Sequence, residues 1–369
     1  MSKLRVLNII TDTNIGGAGK IVLTYCQHYD KGKIDLILAV PTGSQLKPIC
    51  DEQGIVCVTA DGIADESLSL RGIAALYKLI RSIRPSIVHT HASLSARIAG
   101  KLAGAKVVYT RHSVFEPTGF MKSFVGKTIN KITAALFSDK IIAVAQAAKD
   151  NLTDVGIADK KIQVILNGIQ PLEPLGDEQI AQARKRFGVQ EGQKVISIVA
   201  RIEEVKGHAC FIETAKILKQ RGLNVKCIAA GTGSLYEQYK DNQDVDFCGF
   251  ITDVDKLISI SDVTANASFG TEATSIALLE GMSLGIPAVV TDYGGNPGVI
   301  QNGENGFLVG IKDPTAMADR MQQILTDPAL YQTLSRGAKE IFAKTFTAEA
   351  MSRQIEQVYD SLENQKEGK

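Results

Sequence analysis

Apolar and polar residues are arranged in two kinds of segment that alternate along the chain. Short runs rich in Val and Ile, such as Ile34–Val40 and Lys106–Thr110, predict strands of buried sheets. Longer amphipathic runs, such as Leu70–Ile83, lie between them and predict helices that cover those sheets. The alternation continues to the end of the chain, so it predicts an α/β fold built on parallel sheets.

Turn-forming residues mark one boundary near the middle. The dipeptide Asn167-Gly168 predicts a turn, and the prolines that follow it predict a stiff linker. A length of 369 residues fits two domains. We therefore expect a first domain over 1–168, a second over 169–347, and a final helical segment over 348–369.

Composition limits the classes of protein. A composition of 44% apolar and 22% charged residues is typical of a globular protein. It has no apolar run of about 18 residues and no signal peptide, so we expect a cytoplasmic protein. Six scattered cysteines without a Cys-x-x-Cys pair predict reduced thiols and no metal site.

Charge is distributed unevenly. Residues 1–168 hold 21 Lys and Arg against 13 Asp and Glu, and the net charge of the whole chain is only +1. This basic half suggests an acidic partner. The partner would be either a phosphorylated acceptor or the anionic inner face of the cell membrane. An ordinary spread of surface charge is the alternative. We expect no nucleic-acid partner.

The stretch Phe269–Asn296 combines a loop, a helix and a strand. Thr274 or Ser275 is the expected N-cap, and the helix should end where Gly285 follows Leu284. A loop of small residues that enters a helix N-terminus can hold an anion, because its free amides and the helix dipole both favour negative charge.

Two acids flank this anion site. Glu272 precedes the helix, and Glu280 lies inside it among apolar neighbours. Each carboxylate can accept two hydroxyl hydrogen bonds, so a diphosphate at the helix start would direct one hydroxylated ring towards each acid. The alternative is an acid that favours the helix dipole and a second one in a surface pair.

The spacing Glu272-x7-Glu280, followed by Gly-Ile-Pro-Ala-Val-Val-Thr-Asp-x-Gly-Gly-Asn-Pro, resembles the donor-site signature of retaining glycosyltransferase family 4, the group 1 glycosyl transferases. The resemblance implies a GT-B fold: two Rossmann-like domains, an interdomain cleft and a last helix that returns to the first domain. It also implies a hexosyltransferase-type enzyme (EC 2.4) whose donor is a nucleotide-diphosphate sugar, expected to be UDP-linked. No metal and no further cofactor are expected.

The resemblance assigns further residues of the second domain. Arg201 and Lys206, in the segment Ile198–Gly207, would hold the diphosphate and stabilise the leaving nucleotide; a surface pair between Arg201 and Glu203 or Glu204 is the alternative. Glu272 and the amides of Ala273, Thr274, Ser275 and Ile276 would hold the sugar, and Glu280 would hold the ribose. Gly231 would lie in the cleft, and Phe250 near the base.

In the first domain, the glycine loop that includes Gly17 follows the first strand. It matches neither the dinucleotide fingerprint nor a Walker loop. By resemblance it forms a lip near the acceptor and the donor phosphates, with a plain strand-to-helix turn as the alternative. His112, at the end of another strand, matches the family histidine beside the reacting sugar. His91 fits a looser His-x-His position at the cleft, with a histidine that is hydrogen-bonded at a strand end as the alternative. His89 is not assigned to the site.

The segment Phe120–Phe137 contains three lysines and no acid. It predicts a basic amphipathic helix that either contacts an anionic membrane or packs into the core.

The resemblance, together with the basic first half, implies a retaining glycosyltransferase that acts on a glycan or lipid-linked acceptor in cell-envelope polysaccharide or glycolipid synthesis. The alternatives are a sugar-nucleotide epimerase of the same fold and a non-catalytic sugar-nucleotide-binding protein. A nicotinamide-dependent dehydrogenase is disfavoured by the broken fingerprint.

Overall fold

The computed structural model describes residues 3–64, 66–114 and 117–367, with side chains up to residue 364. The chain divides into two compact units. The first combines residues 1–168 with 348–369, and the second spans 169–347.

The first unit is a seven-stranded parallel sheet in the order β3-β2-β1-β4-β5-β6-β7. Its strands are β1 (Leu4–Ile10), β2 (Ile34–Pro41), β3 (Cys57–Ala60), β4 (Ile87–His91), β5 (Lys106–Arg111), β6 (Lys140–Ala143) and β7 (Ile162–Val164). Its helices are α1 (Gly17–His28), α2 (Leu46–Glu52), α3 (Leu70–Ile83), α4 (Leu94–Leu102), α5 (Gly119–Lys122), α6 (Phe124–Phe137), α7 (Gln146–Asp154) and, from the end of the chain, α16 (Ala348–Glu367).

Helix α3 shows how the local sequence sets these elements. The hydroxyl of Ser69 accepts a hydrogen bond from the Gly72 amide and caps the first turn. Leu76 and Ile80 recur at a helical spacing and are buried against the sheet. The helix ends at Arg84, whose φ of 53° turns the chain before Pro85.

The second unit is a six-stranded parallel sheet in the order β10-β9-β8-β11-β12-β13. Its strands are β8 (Lys194–Val199), β9 (Val225–Ala230), β10 (Val245–Gly249), β11 (Val263–Asn266), β12 (Ala288–Thr291) and β13 (Gly306–Val309). Its helices are α8 (Asp177–Arg186), α9 (His208–Gln220), α10 (Tyr236–Tyr239), α11 (Val254–Ser259), α12 (Ile276–Leu284), α13 (Asn296–Val299), α14 (Pro314–Thr326) and α15 (Pro328–Thr345).

In both sheets the strand order reverses at one place, between β1 and β4 in the first unit and between β8 and β11 in the second. In open parallel sheets the loops at the carboxyl ends of the strands diverge at such a point and leave room for a ligand. The predicted α/β class with parallel sheets is therefore confirmed, and each sheet has its own switch point.

Candidate active site

The loop before α12 contains most of the donor-site residues predicted in the second unit. Ser275 is the N-cap residue, but its hydroxyl makes no capping hydrogen bond. Gly285 ends the helix with a φ of 80°, as the sequence predicts. Because Ser275 does not cap the helix, the first-turn amides of Ile276 and the residues after it can bind an anion instead.

A buried ion pair lies beside this loop. The ammonium Nζ of Lys206 is 2.9 Å from Oε2 of Glu272, and the two side chains are 11% and 8% exposed. Oε2 also accepts hydrogen bonds from Asn266 Nδ2 at 3.2 Å and Ser268 Oγ at 3.0 Å. All the hydrogen bonds that the described residues donate to this carboxylate end on Oε2, which leaves the lone pairs of Oε1 as acceptors for a ligand hydroxyl.

Lys206 lies in a short 3-10 turn, Glu204–Lys206, that precedes the next helix. Helix α9 begins two residues later because Gly207 adopts a left-handed conformation with a φ of 73°. A side chain on Gly207 would overlap the carbonyl oxygen of Ala267. The turn after β8 therefore packs directly on the strand end of β11 and brings Lys206 to Glu272.

Two glycines hold the backbone of Glu272 in place. The amide of Gly295 donates a hydrogen bond to the Glu272 carbonyl oxygen at 3.0 Å. A Cβ on Gly295 would overlap the oxygen of Ala273, and one on Gly294 would overlap that of Glu272. The Gly-Gly pair of the sequence signature is thus required for close approach of two backbone segments.

A set of buried polar side chains supports this loop from beneath. Asn296 donates from Nδ2 to the carbonyl oxygen of Thr291 at 3.0 Å and to Oδ1 of Asn266 at 3.5 Å. The hydroxyl of Thr291 donates to the Ser268 carbonyl oxygen at 2.5 Å. The sequence alone gives these residues no role in the site. Their signal is position, because Asn266 and Thr291 are the last residues of the buried strands β11 and β12.

Arg201, the second predicted phosphate ligand, follows β8 and is exposed. Among the described residues it forms no ion pair, so the structure does not show the alternative surface pair. Glu203 instead accepts hydrogen bonds from the Ser234 hydroxyl at 2.5 Å and from its amide at 3.1 Å. These bonds, with the nearby charge of Arg201, lower the pKa of Glu203.

Three further residues of the predicted donor site lie on other elements of this unit. Gly231 follows β9 with a φ of 143°, and a side chain there would overlap the Ala200 oxygen. Phe250 follows β10 and is exposed. Glu280 is half-buried in the second turn of α12. Together with Thr274, these residues border the same carboxyl edge of the sheet or the helix that begins there.

In the first unit, three histidines lie side by side at the ends of the neighbouring strands β4 and β5. Nδ1 of His91 is 2.7 Å from Nε2 of His112, and Nε2 of His91 is 3.0 Å from Oδ1 of Asn8. Burial, with the adjacent charge of Arg111, lowers the pKa of His112 to about 4. Burial also lowers the pKa of His91 well below its ordinary value. Both rings are therefore neutral at physiological pH.

His89 belongs to the same cluster, although the sequence analysis did not assign it. Residues two apart in a strand share a face, and its ring stacks on that of His91 with centroids 4.7 Å apart. Its Nδ1 lies 2.6 Å from the Tyr359 hydroxyl of α16, and its Nε2 lies 2.6 Å from the Thr110 hydroxyl. Burial lowers the pKa of His89 to about 3.

Gly17, the remaining predicted residue, is the first residue of α1 and is exposed. The loop that contains it follows β1, so Gly17, His91 and His112 all lie at the carboxyl edge of the first sheet. The structure thus places the predicted residues of each unit at the carboxyl edge of that unit's own sheet.

Two family models match the chain. The Glycosyltransferase Family 4 model matches residues 15–171, and the Glycosyl transferases group 1 model matches residues 179–341. The chain belongs to the group 1 glycosyltransferases of family 4. It is therefore a glycosyltransferase enzyme (EC 2.4), and the family predicted from the sequence signature is confirmed.

Two curated relatives of this glycosyltransferase are named for a capsular polysaccharide and for a sugar linked to diphosphoundecaprenol. It is 25% identical to the capsular polysaccharide biosynthesis glycosyltransferase CapM of Staphylococcus aureus, with 92% of this chain and 93% of the relative covered. It is 26% identical to the Escherichia coli UDP-Gal:alpha-D-GlcNAc-diphosphoundecaprenol alpha-1,3-galactosyltransferase, with 79% of each chain covered.

Solved structures share its fold. The crystal structure of Anabaena HepE in complex with UDP and glucose superposes with a TM-score of 0.82, at 20% identity, over 97% of this chain and 100% of the other. Sucrose-phosphate synthase from Thermosynechococcus elongatus superposes with a TM-score of 0.74, at 17% identity, over 98% and 99%. The fold of the chain is GT-B.

Proposed function

We propose that this enzyme transfers a sugar from a UDP-sugar, with retention of the anomeric configuration, to a lipid-linked or glycan acceptor of a cell-envelope polysaccharide. The relatives named above support the acceptor class, and the HepE complex supports UDP as the nucleotide. The single observation that carries the proposal is the buried pair of Lys206 and Glu272 at the switch point of the second sheet.

In this proposal the nucleotide diphosphate binds at the start of α12. Lys206 and Arg201 neutralise its oxygens, and the amides of Ser275 and Ile276 donate to them. A leaving group with two negative charges is stabilised by such fixed donors as the bond to the sugar breaks. Thr274 lies in the same loop and contributes its amide to the sugar side.

The two acids bind the two rings of the donor. Glu272 accepts hydroxyl hydrogen bonds from the transferred sugar through Oε1, while Lys206, Asn266 and Ser268 fix the carboxylate through Oε2. Glu280 accepts the ribose hydroxyls from inside α12. Orientation of both rings by fixed carboxylates raises the rate by holding the reacting carbon in place.

The other predicted residues complete the donor contacts. Gly231 lets the backbone approach the nucleotide, and Phe250 contacts the base. His112 forms a hydrogen bond with a hydroxyl of the transferred sugar, and the loop of Gly17 lies near the donor phosphates and the acceptor. No cofactor is needed beyond the donor itself.

The chemical step is a substitution at the anomeric carbon. The acceptor oxygen forms a bond to this carbon as the bond from carbon to phosphate oxygen breaks, and the acceptor proton passes to the departing phosphate. This route needs no protein base. Retention follows because attack comes from the side that the nucleotide leaves.

We also propose that α5 and α6 contact an anionic membrane at the inner face of the cell membrane, where a lipid-linked acceptor would lie. Four apolar side chains recur at a helical spacing on α6, and each is 50–57% exposed: Val125, Ile129, Ile132 and Leu136. Phe124, at the start of α6, is 86% exposed. We call these five side chains the apolar stripe of α6.

Lysines border the apolar stripe. Lys127 and Lys131 are exposed, lie one turn apart and form no ion pair with a described residue, while Lys122 is exposed in α5. An exposed apolar face with adjacent basic residues and no acid is the pattern of a helix that lies in the membrane interface. None of the helices described in the chain is long and apolar enough to cross a bilayer.

The opposite side of α6 is fixed to the unit. A side chain on Gly126 would overlap the Phe120 oxygen, so α5 folds closely onto α6. Lys161 donates to the carbonyl oxygens of Ala134, Ala135 and Ser138 and so caps the end of α6. The apolar stripe is therefore held outward by a rigid attachment.

The test of the proposed function is a transfer reaction. The purified chain is incubated with UDP-sugars and with diphosphate-linked lipid or oligosaccharide acceptors, and the product linkage is read by NMR. A product with the anomeric configuration of the donor is expected. An epimerase would convert one UDP-sugar into another without an acceptor, and a binding protein would bind UDP without consuming any UDP-sugar. Either result would replace the proposal.

A further inference from the structure

Three side chains form a hydrogen-bonded series at the switch point of the first sheet. Asn8 lies on β1, His91 is the last residue of the neighbouring β4, and His112 follows the next strand, β5. The two links are 3.0 Å from Asn8 Oδ1 to His91 Nε2 and 2.7 Å from His91 Nδ1 to His112 Nε2. Asn8 and His91 are buried, and His112 is half-buried.

With Oδ1 of Asn8 facing Nε2 of His91, the series has one arrangement of protons. A neutral imidazole has one N–H donor and one lone-pair acceptor. The amide oxygen of Asn8 can only accept, so His91 must donate from Nε2. Its Nδ1 then holds a lone pair, and the proton in the second link must come from Nε2 of His112. The single proton of His112 is therefore on Nε2, and its Nδ1 holds a lone pair.

The orientation of the Asn8 amide sets the direction of this series. Its Nδ2 has no hydrogen-bond partner among the described residues. Asn8 and His91 both border a cavity of about 20 Å³, which is room for one water molecule. A water in this cavity can accept from Nδ2 while Oδ1 accepts from His91.

We propose that Asn8 and His91 are positioning residues that hold His112 in its Nε2–H tautomer, so that His112 presents an Nδ1 acceptor to its ligand. None of the residues that the structure describes bonds to Nδ1 of His112. An acceptor nitrogen selects a hydroxyl group and repels a phosphate oxygen. The inference rests on the proposed function, because the hydroxyl would be one of the transferred sugar.

The neutral state that this arrangement needs is consistent with the groups that face His112. They are His91 and His89 from β4 and Arg111 from its own strand, with Tyr359 of α16 behind His89. No carboxylate of the described residues is among the groups that shift the pKa of His112, which burial and Arg111 lower to about 4. His112 therefore meets the ligand uncharged.

The test is the tautomer itself, measured by long-range proton–nitrogen correlation on the full chain labelled with ¹⁵N-histidine, at a pH above about 6.5. The five histidines are assigned by single substitutions. The wild type should show His112 protonated on Nε2. Asn8→Asp retains an acceptor at the same place and should keep this tautomer. Asn8→Ala removes it and should give a mixture of both tautomers.

A matched control is Thr110→Val. It removes the hydroxyl bonded to His89 on the same strands, leaves the Asn8 series intact, and should not change the His112 signals. In the transfer assay, Asn8→Ala should lower kcat about 10- to 100-fold, and Asn8→Asp should restore most of it.

Protonation of wild-type His112 on Nδ1, or an unchanged tautomer in Asn8→Ala, would overturn the inference. The NMR measurement needs no donor. If the tautomer is as expected while no sugar is transferred, the proposed function fails and the positioning of His112 stands.

Discussion

Nζ of Lys206 lies 2.9 Å from Oε2 of Glu272 within the second unit, and both side chains are about nine-tenths buried. Two charges removed from water in this way stabilise each other only while both are present. The same two residues are those assigned to the donor diphosphate and the donor sugar. The pair therefore links the stability of this unit to its chemistry.

The first prediction concerns the energy of this pair. Lys206→Met and Glu272→Gln should each lower the free energy of unfolding by about 3 kcal/mol, because each leaves a buried charge without its partner. The double variant should lose less than the sum, with a coupling energy of about 1–3 kcal/mol. Denaturant titration followed by circular dichroism measures all four proteins.

The control for this cycle is the pair of Lys216 and Glu213 on α9, which is 3.2 Å apart and about half exposed. Its coupling energy should be below about 0.5 kcal/mol. Equal coupling in the two cycles would show that burial of the Lys206 pair has no special effect.

The second prediction concerns the Gly-Gly pair that supports Glu272. Gly295→Ala would force the Ala273 carbonyl away and displace the loop before α12. We expect a loss of about 1–3 kcal/mol in unfolding free energy and a fall in kcat/KM of about tenfold to 100-fold. Gly298→Ala lies in α13, the short helix for which Gly295 is the N-cap residue; a Cβ there meets no atom, so this variant should change neither quantity. Equal values of kcat/KM for the Gly295→Ala and Gly298→Ala variants would contradict the role of Gly295.

The third prediction concerns membrane binding. Lys127→Glu with Lys131→Glu should weaken binding to vesicles that contain phosphatidylglycerol by at least about 30-fold, since each lysine contributes about 1 kcal/mol near an anionic surface. Co-sedimentation with phosphatidylcholine vesicles, with and without phosphatidylglycerol, measures the effect.

A charge-matched control is Lys78→Glu with Arg81→Glu on α3 of the same unit, where both side chains are exposed. This variant should bind nearly as well as the wild type. An equal loss in both variants would point to general attraction by the basic unit and not to α6.

The fourth prediction concerns His208, which is 1% exposed and whose two ring nitrogens have no partner among the described residues. Burial and the charge of Lys206 lower its pKa to about 4 from an ordinary 6.5. Between these pH values the unfolded chain binds a proton at His208 that the folded chain does not. This proton uptake favours the unfolded chain, so the unfolding free energy decreases as the pH falls from 6.5 to about 4.

The variant His208→Leu removes this titration. Relative to the wild type, its unfolding free energy should increase as the pH falls from 6.5 towards 4, while the other histidines contribute equally to both proteins. Denaturant titration over this pH range measures the difference. A difference that does not depend on pH would show that His208 is protonated in the folded protein.

The sequence predicts the regular elements well. The helix over 70–83 has the predicted bounds, and the strands predicted over 34–40 and 106–110 are each one residue longer in the structure, because buried parallel strands are continuous apolar runs bounded by turn residues. Lys206 lies in a turn that no sequence pattern predicts. Its 3-10 turn depends on contact between Gly207 and Ala267, sixty residues apart, which no local pattern contains.

The site was predicted in outline only. Glu272 has a sequence signature, but Asn266 and Ser268, which fix its carboxylate, do not. His112 was assigned from the resemblance, while Asn8 is far away in sequence and meets His91 only because β1 and β4 are neighbours in the sheet. Partners brought together by strand order cannot be found without the topology.

The central claim is that a nucleoside diphosphate binds at the start of α12 between Glu272 and Glu280. A crystal structure of the chain with UDP tests it most directly. The account predicts phosphate oxygens within about 3 Å of Lys206 Nζ and of the Ile276 amide, with the ribose hydroxyls on Glu280. Phosphates bound away from α12, or a Glu280 carboxylate that no part of the nucleotide reaches, would contradict it.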